Sequence, residues 1–324
     1  MTNPIIHAYE FDNKGGGEPI NDVKVASEKI KQDQLAWVHL DIDNDATRKW
    51  LETELSYLDP FIVGALLADE TRPRVTEIGD GAIIILRGVN LNEEASPEDM
   101  VSIRLWIDQH RIISVQRRQL KAVLDINDKI VAGKGPTGAG LFIAMLVSKL
   151  FERIEPVITD LDDRTDDVEE KILEVADLSL RENIVDIRKK AIILRRYMAP
   201  QKDAICQLRS TDLPWLNPAS KRYLQESYDR VLRYVEDLDA IRERAQIVKD
   251  ELANILSDRI NKNMYILSVI AAIFLPLGFL TGLLGINVGG IPGAENINAF
   301  WIFCAILVAV VATQVYIFKK LKWF

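Results

Sequence analysis

No Asp, Glu, Lys or Arg occurs between Lys262 and Glu295, and a second uncharged run follows from Ile297 to Phe318. Met264 to Leu284 is 21 residues long. At ~1.5 Å per residue such a helix crosses the ~30 Å hydrocarbon layer of a bilayer, and the second run is long enough to return. A buried helical hairpin of a soluble protein is the alternative, and two adjacent runs of this length count against it. Two helices enclose no aqueous path, so any pore built from them takes several copies.

Flanking charge orients the pair. Arg259 and Lys262 precede the first span, Lys319, Lys320 and Lys322 follow the second, and the loop 285–296 has neither Lys nor Arg. The positive-inside rule then places both termini in the cytoplasm and the loop outside. Trp301, Trp323 and Phe324 lie near the span ends, where aromatic rings favour the interface. The net charge of −8, with no basic face interleaved with aromatics, argues against nucleic acid as a partner. Met1 to Gly17 has no basic stretch followed by an apolar one, so no cleaved leader is expected. Cys206 lies in a charged helical region and Cys304 in an apolar run, which makes a disulfide between them unexpected.

Residues 1–135 read as a mixed α/β domain. Pro4–Glu10, Ala36–Ile42, Ala82–Leu91 and Val101–Gln116 alternate or run β-branched and are expected as strands. Thr47–Leu67 is expected as one helix, with Trp50, Leu51, Leu55, Leu58 and Ile62 at helical spacing. Long helices fill 136–218: one from Leu141 to about Val175, and one over Leu180–Ala199 that stops before Pro200. The third segment, 219–284, has no Gly or Pro from Ala219 to Leu275. Leu224, Tyr228, Val231, Val235, Leu238, Ala245, Val248, Leu252 and Ile255 keep a three-and-four rhythm, with a polar lapse at Arg242. The expectation is one helix of roughly 65 residues, near 100 Å at ~1.5 Å rise, running into the bilayer at about 264–284. Its apolar seam needs partners from neighbouring subunits or from the chain's own antiparallel helices. The loop 285–296, a second span over 297–318 and a basic tail, 319–324, complete the expected order.

Four elements lie in the spacing of a known family: Arg259-Ile260-Asn261, Ile273-Phe274-Leu275-Pro276-Leu277, Gly285-Ile286-Asn287 and Ile291-Pro292-Gly293. Together they resemble the CorA superfamily of divalent-cation transporters. The family's usual turn is Gly-Met-Asn; the Gly-Ile-Asn seen here, followed by Val288-Gly289-Gly290, looks like the ZntB zinc-transporter branch. A weaker match is Leu194-Arg195-Arg196 with Pro200. The resemblance implies a funnel-shaped homopentamer in the inner membrane, with a cytosolic α+β domain and long stalk. The first span would line a central pore, and Gly285, Ile286 and Asn287 would form its outer mouth.

Counting back from the turn, Gly282, Gly278, Leu275, Ala271, Ser268, Met264, Asn261, Ser257 and Asp250 form one plausible helix stripe, small or weakly polar in the membrane. Gly278 and Gly282 suit a pore wall or close helix packing equally. Leu275 and Met264 suit a dewetting constriction or ordinary packing. Pro276 is tolerable if a neighbour or water satisfies the freed carbonyl. Spacing alone reads Asn287 as a turn residue beside Gly285. The resemblance reads it instead as a ring of amide oxygens that bond the water shell of a hydrated dication without holding it tightly. Glu295, the one charge of the outer loop, would concentrate cations there or be a solvated carboxylate.

Zn²⁺ prefers Cys and His, yet His7, His39 and His110 and the two cysteines form no tetrahedral spacing. His39 and His110 read as structural. The acidic tract Asp160, Asp162, Asp163, Asp166, Asp167, Glu169, Glu170 and Glu174 attracts cations, with Asp160, Asp163 and Asp167 as candidates beside Asp250, binds a regulatory ion between subunits, or is a solvated helix face. No phosphate loop and no nucleophile–base pair points to an enzyme, and no cofactor is expected. The leading expectation is zinc uptake, with proton coupling left open. A Mg²⁺/Co²⁺ channel of the same architecture is the alternative, and a membrane-anchored coiled-coil sensor or scaffold the alternative of another class.

Overall fold

The computed structural model describes residues 3–69, 72–174, 177, 179–285, 291, 293 and 296–320. The chain separates into two compact units, Met1–Lys249 and Asp250–Phe324.

Seven strands of the first unit form one sheet of order β2-β1-β3-β7-β6-β5-β4. They are β1 (Ile5–Phe11), β2 (Gly17–Pro19), β3 (Ala36–Asp41), β4 (Arg74–Ile78), β5 (Gly81–Gly88), β6 (Val101–Ile107) and β7 (Arg111–Gln116). The central β3–β7 pair is parallel and the other pairs are antiparallel. Period-2 alternation loads both faces. On one face Ala36, Val38, Leu40, Ile83, Ile85, Trp106, Ile113 and Val115 share a core with helices α1 (Val23–Lys29), α2 (Asp45–Glu54) and α3 (Pro60–Leu67). On the other, Phe142 of α5 (Ala139–Glu174) packs edge-on to Trp37, ring centroids 5.1 Å apart, and to Phe11 at 6.4 Å. The short α4 (Lys121–Val131) lies on that side too, and its Asn127 Oδ1 accepts from Tyr9 Oη at 2.9 Å.

Three sequence expectations need correction. The run Val101–Gln116 is two strands, because Asp108 makes a turn: its Oδ1 accepts from the backbone N–H of His110 (2.9 Å) and Arg111 (3.0 Å). The helix expected over Thr47–Leu67 is two, because Asp59 caps a new one, accepting from Phe61 N at 2.8 Å with Pro60 in the first position. The helix expected to stop before Pro200 continues as α6 (Ser179–Ser210). Burial outweighs the missing N–H: Gln201, Ala204, Ile205 and Leu208 all lie in the core. Gln201 also closes the sheet edge where β4 falls short of β5. Its Oε1 accepts from Arg87 N (2.7 Å) and its Nε2 donates to Arg87 O (3.0 Å).

Helix α7 (Pro218–Leu284) is a single helix of 67 residues, as the unbroken pattern predicts. Asn217 starts it, accepting from Ser220 N at 2.8 Å ahead of Pro218. In the first unit the seam is buried at Leu224, Val231, Val235, Leu238, Ala245 and Val248, and Ile241 fills the step where Arg242 lapses. The chain's own helices cover it. On α5, Phe151 packs against Tyr234 (6.3 Å) and Glu155 accepts from Tyr234 Oη (3.0 Å). On α6, Arg195 Nε pairs with Asp239 (2.5 Å) and the Arg209 guanidinium lies 4.2 Å over the Tyr228 ring. In the second unit, α8 (Ala299–Lys320), like the last part of α7, is long and apolar enough to cross a membrane.

His39 sits fully buried beside Trp37, ring centroids 5.8 Å apart, with Nδ1 2.7 Å from Ser114 Oγ and Nε2 without a partner. Burial pushes its pKa down from 6.5 to about 3. Burial also lowers that of His7, which faces it across the β1–β3 pair. The unfolded chain therefore takes up a proton below pH ~6.5 that the folded chain refuses, so this stability is present above that pH and drains away as pH falls towards ~3. The slope approaches about 1.4 kcal/mol per pH unit for one histidine. His39→Gln is expected to flatten the fall in Tm between pH 7 and pH 5; equal slopes in both proteins would contradict this account.

Candidate ion path

Within the second unit, α7 presents two different sides. Val269 is buried, and Ala272, Ile273, Pro276, Leu277 and Leu280 are partly covered. This is the side bonded to α8: Gln314 Nε2 donates to Ala272 O at 3.1 Å. Ala272 stands four residues before Pro276, so its carbonyl is the one that proline deprives of a helical donor. The freed group named in the sequence is thus satisfied by a neighbouring helix, through a residue that sequence reasoning missed. The available signal was a lone carboxamide inside an otherwise apolar span.

At ~100° per residue, the stripe Met264, Ser268, Ala271, Leu275, Gly278 and Gly282 lies on roughly the opposite side. All six are exposed, Met264 by 61% and Leu275 by 73%. A Cβ added at Gly278 or Gly282 meets nothing within 4 Å, so neither glycine serves close packing inside the chain. Ser268 Oγ donates to Met264 O (2.8 Å) and Thr281 Oγ1 to Leu277 O (2.9 Å), which satisfies both hydroxyls on their own helix and leaves oxygen lone pairs for water. Asn261 and Asp250 are exposed earlier on α7. Gly285 ends the helix, its N–H donating to Thr281 O at 2.9 Å. Ile286, Asn287 and Glu295 lie outside the described residues.

The acidic tract divides on α5. Arg244 of α7 gathers Asp162 (2.9 Å), Asp166 and Glu169 (2.6 Å), and these carboxylates push its pKa up. Asp160, Asp163 and Asp167 are exposed, Asp167 with Lys171 at 3.9 Å. Among the described residues no three His, Cys, Asp or Glu side chains gather as a metal site. His110 lies in the β6–β7 turn, its Nδ1 bonded to Asp33 O. Cys206 and Cys304 are free thiols on α6 and α8.

The family profile described as CorA-like Mg2+ transporter protein matches residues 32–320. Zinc transport protein ZntB of Pectobacterium carotovorum subsp. carotovorum (strain PC1) is 36% identical over 318 residues, 98% of this chain and 95% of that protein. Divalent cation transporter CmaX of Pseudomonas aeruginosa is 36% identical over 322 residues, 98% of this chain and 96% of that one. The solved structure of full-length CmaX superposes with a TM-score of 0.86 at 36% identity, covering 99% of this chain and 98% of that one. The CorA magnesium transporter of Methanocaldococcus jannaschii shares the fold, TM-score 0.80 at 20% identity, over the whole of both chains. The chain belongs to the CorA family, a family of membrane transporters and not of enzymes, in the branch that holds the ZntB and CmaX proteins.

Proposed function

We propose that the protein carries Zn²⁺ through the inner membrane along the exposed stripe of α7, with five copies surrounding one wet passage. The observation that carries this reading is the open stripe itself. A row of mostly small or weakly polar residues, with Met264 and Leu275 among them, faces away from α8 and is left uncovered by the chain's own helices, while the exposed positions beside it are the bulky apolar Leu267, Ile270, Phe274 and Phe279 that suit lipid. Two helices per chain cannot wall an aqueous path, whereas a ring of α7 stripes can. The names of relatives that match nearly the full length support zinc as cargo.

In this reading Gly285-Ile286-Asn287 forms the outer mouth and both termini are cytoplasmic, as the Lys and Arg placement supports. The cation passes with most of its water shell, and Asn287 oxygens and the Ser268 lone pairs accept from that shell. Leu275 and Met264 form the apolar constrictions. A negative-inside potential favours entry by ~2.3 kcal/mol per charge per 100 mV, so a dication gains about twice that, and uptake is the downhill direction. A second reading, Mg²⁺ transport, is favoured by the family profile's own description and by a stripe with no Cys or His. Flux into proteoliposomes decides between them. Zn²⁺ entry exceeding Mg²⁺ entry supports the first, while Mg²⁺ entry without Zn²⁺ entry overturns it. Repeating the assay with and without a pH gradient tests proton coupling, which indifference to the gradient would remove.

A further inference from the structure

Pro276 stands well inside the apolar part of α7, and the carbonyl it orphans lies where lipid offers no donor. Water-lined or helix-bonded surroundings are the two ways such a group survives in a membrane. Here a single side chain supplies the bond. Gln314 is the one carboxamide of α8, and its Nε2 reaches Ala272 O at 3.1 Å. A carbonyl oxygen only accepts, so the amide nitrogen must be the atom turned towards it. Gln314 Oε1 is left buried with no partner. A half-satisfied amide in an apolar span is disfavoured unless the bond it does make matters more than the one it forgoes.

We propose that Gln314 is a positioning residue that holds α7 straight across its proline break, and so keeps the Leu275–Gly278 part of the stripe in line with Ser268. The inference rests on the reading that the stripe lines the ion path. Without the Gln314 bond, Ala272 O turns towards water or the helix bends between 272 and 276, as helices do at proline. Either change rotates Leu275 and Gly278 relative to the residues before the break. Leu275 and Pro276 are adjacent, so the constriction sits on the weakened turn itself.

The test is a double-mutant cycle in the full-length protein, reconstituted in vesicles with Zn²⁺ alone as the probe. Gln314→Met keeps the side-chain volume and removes the donor. Maximal flux is expected to fall about tenfold, equivalent to about 1.4 kcal/mol, while the half-saturating Zn²⁺ concentration changes less than about twofold. Pro276→Ala restores the helix's own N–H to Ala272 O. In that background Gln314→Met should change flux by less than about twofold. Equal losses in both backgrounds, or no loss in the parent, would overturn the proposal. If Gln314→Met lowers the yield of assembled protein, the same cycle is read on yield: rescue by Pro276→Ala supports the positioning role and absence of rescue overturns it. Thermal stability of the detergent-solubilised protein across the four variants reports the Gln314–Pro276 coupling wherever the ions pass. Coupling there together with normal flux in a Gly278→Leu variant would sink the ion-path reading while sparing the bond.

Discussion

Replacing Asn287 by alanine is expected to remove dication flux while the protein still assembles. The amide oxygen is a neutral acceptor, and one hydrogen bond to the water shell is worth about 0.5–1.5 kcal/mol. In the proposed five-fold ring such bonds together amount to about 2.5–7.5 kcal/mol, so flux should drop by roughly a hundredfold or more. A turn role alone would weaken the loop without silencing conduction. Asn287→Asp separates the two roles further. It keeps the turn and adds a fixed charge, which should bind the dication more tightly and slow its release. Zn²⁺ uptake into vesicles, measured beside the oligomeric state in detergent, checks both variants. Undiminished flux in Asn287→Ala would confine the residue to turn geometry.

The second large effect is expected at Gly278. In one chain a side chain placed there meets open space, so Gly278→Leu creates no clash within the fold. Helix propensity even favours the change, since glycine is about 1 kcal/mol less favourable than alanine in a helix interior. A leucine that leaves the chain intact should nevertheless end transport, because five leucines would meet around the path and expel its water. The contrast is the point of the experiment: unchanged or raised thermal stability of the chain with flux at background level. Gly282→Leu should behave alike, one turn nearer the mouth. If Gly278→Leu conducts normally, the glycines face lipid.

Much of this architecture could be read from residues alone, where a single strong term decides. Charge-free length announces α8 and the last part of α7, and the unbroken pattern from Ala219 announces one long helix, because nothing local competes with either. Strands β1, β3 and β5 stand out as runs that alternate or are β-branched. The local pattern misleads where local and tertiary terms oppose each other. Pro200 argues for a stop, and the burial of Gln201, Ala204, Ile205 and Leu208 overrides it. Asp59-Pro60 is a cap and start signal that a continuous apolar rhythm over Thr47–Leu67 concealed. Asp108 folds back on His110 and Arg111 inside what reads as one β-branched run.

The candidate path shows the same division. Which residues share a face follows from helical period, so the stripe from Met264 to Gly282 could be written down in advance. Which face is covered depends on the partner helix, and Gln314 lies 42 positions from the carbonyl it bonds. Likewise the acidic tract on α5 reads as a uniform negative face until Arg244 claims Asp162, Asp166 and Glu169 from a helix far along the chain. Pairings of that separation leave no periodic trace in one sequence.

Single cysteines placed along α7, in a background with Cys206 and Cys304 changed to serine, test the account most directly. The account predicts that a water-soluble, membrane-impermeant thiol reagent modifies cysteines at 268, 275 and 278 in assembled vesicles, that Zn²⁺ slows this modification, and that cysteines at 269, 273 and 280 on the α8-bonded side stay inert. Reaction of the 269, 273 and 280 set instead, or protection of the stripe from every reagent except a lipid-soluble one, would contradict it.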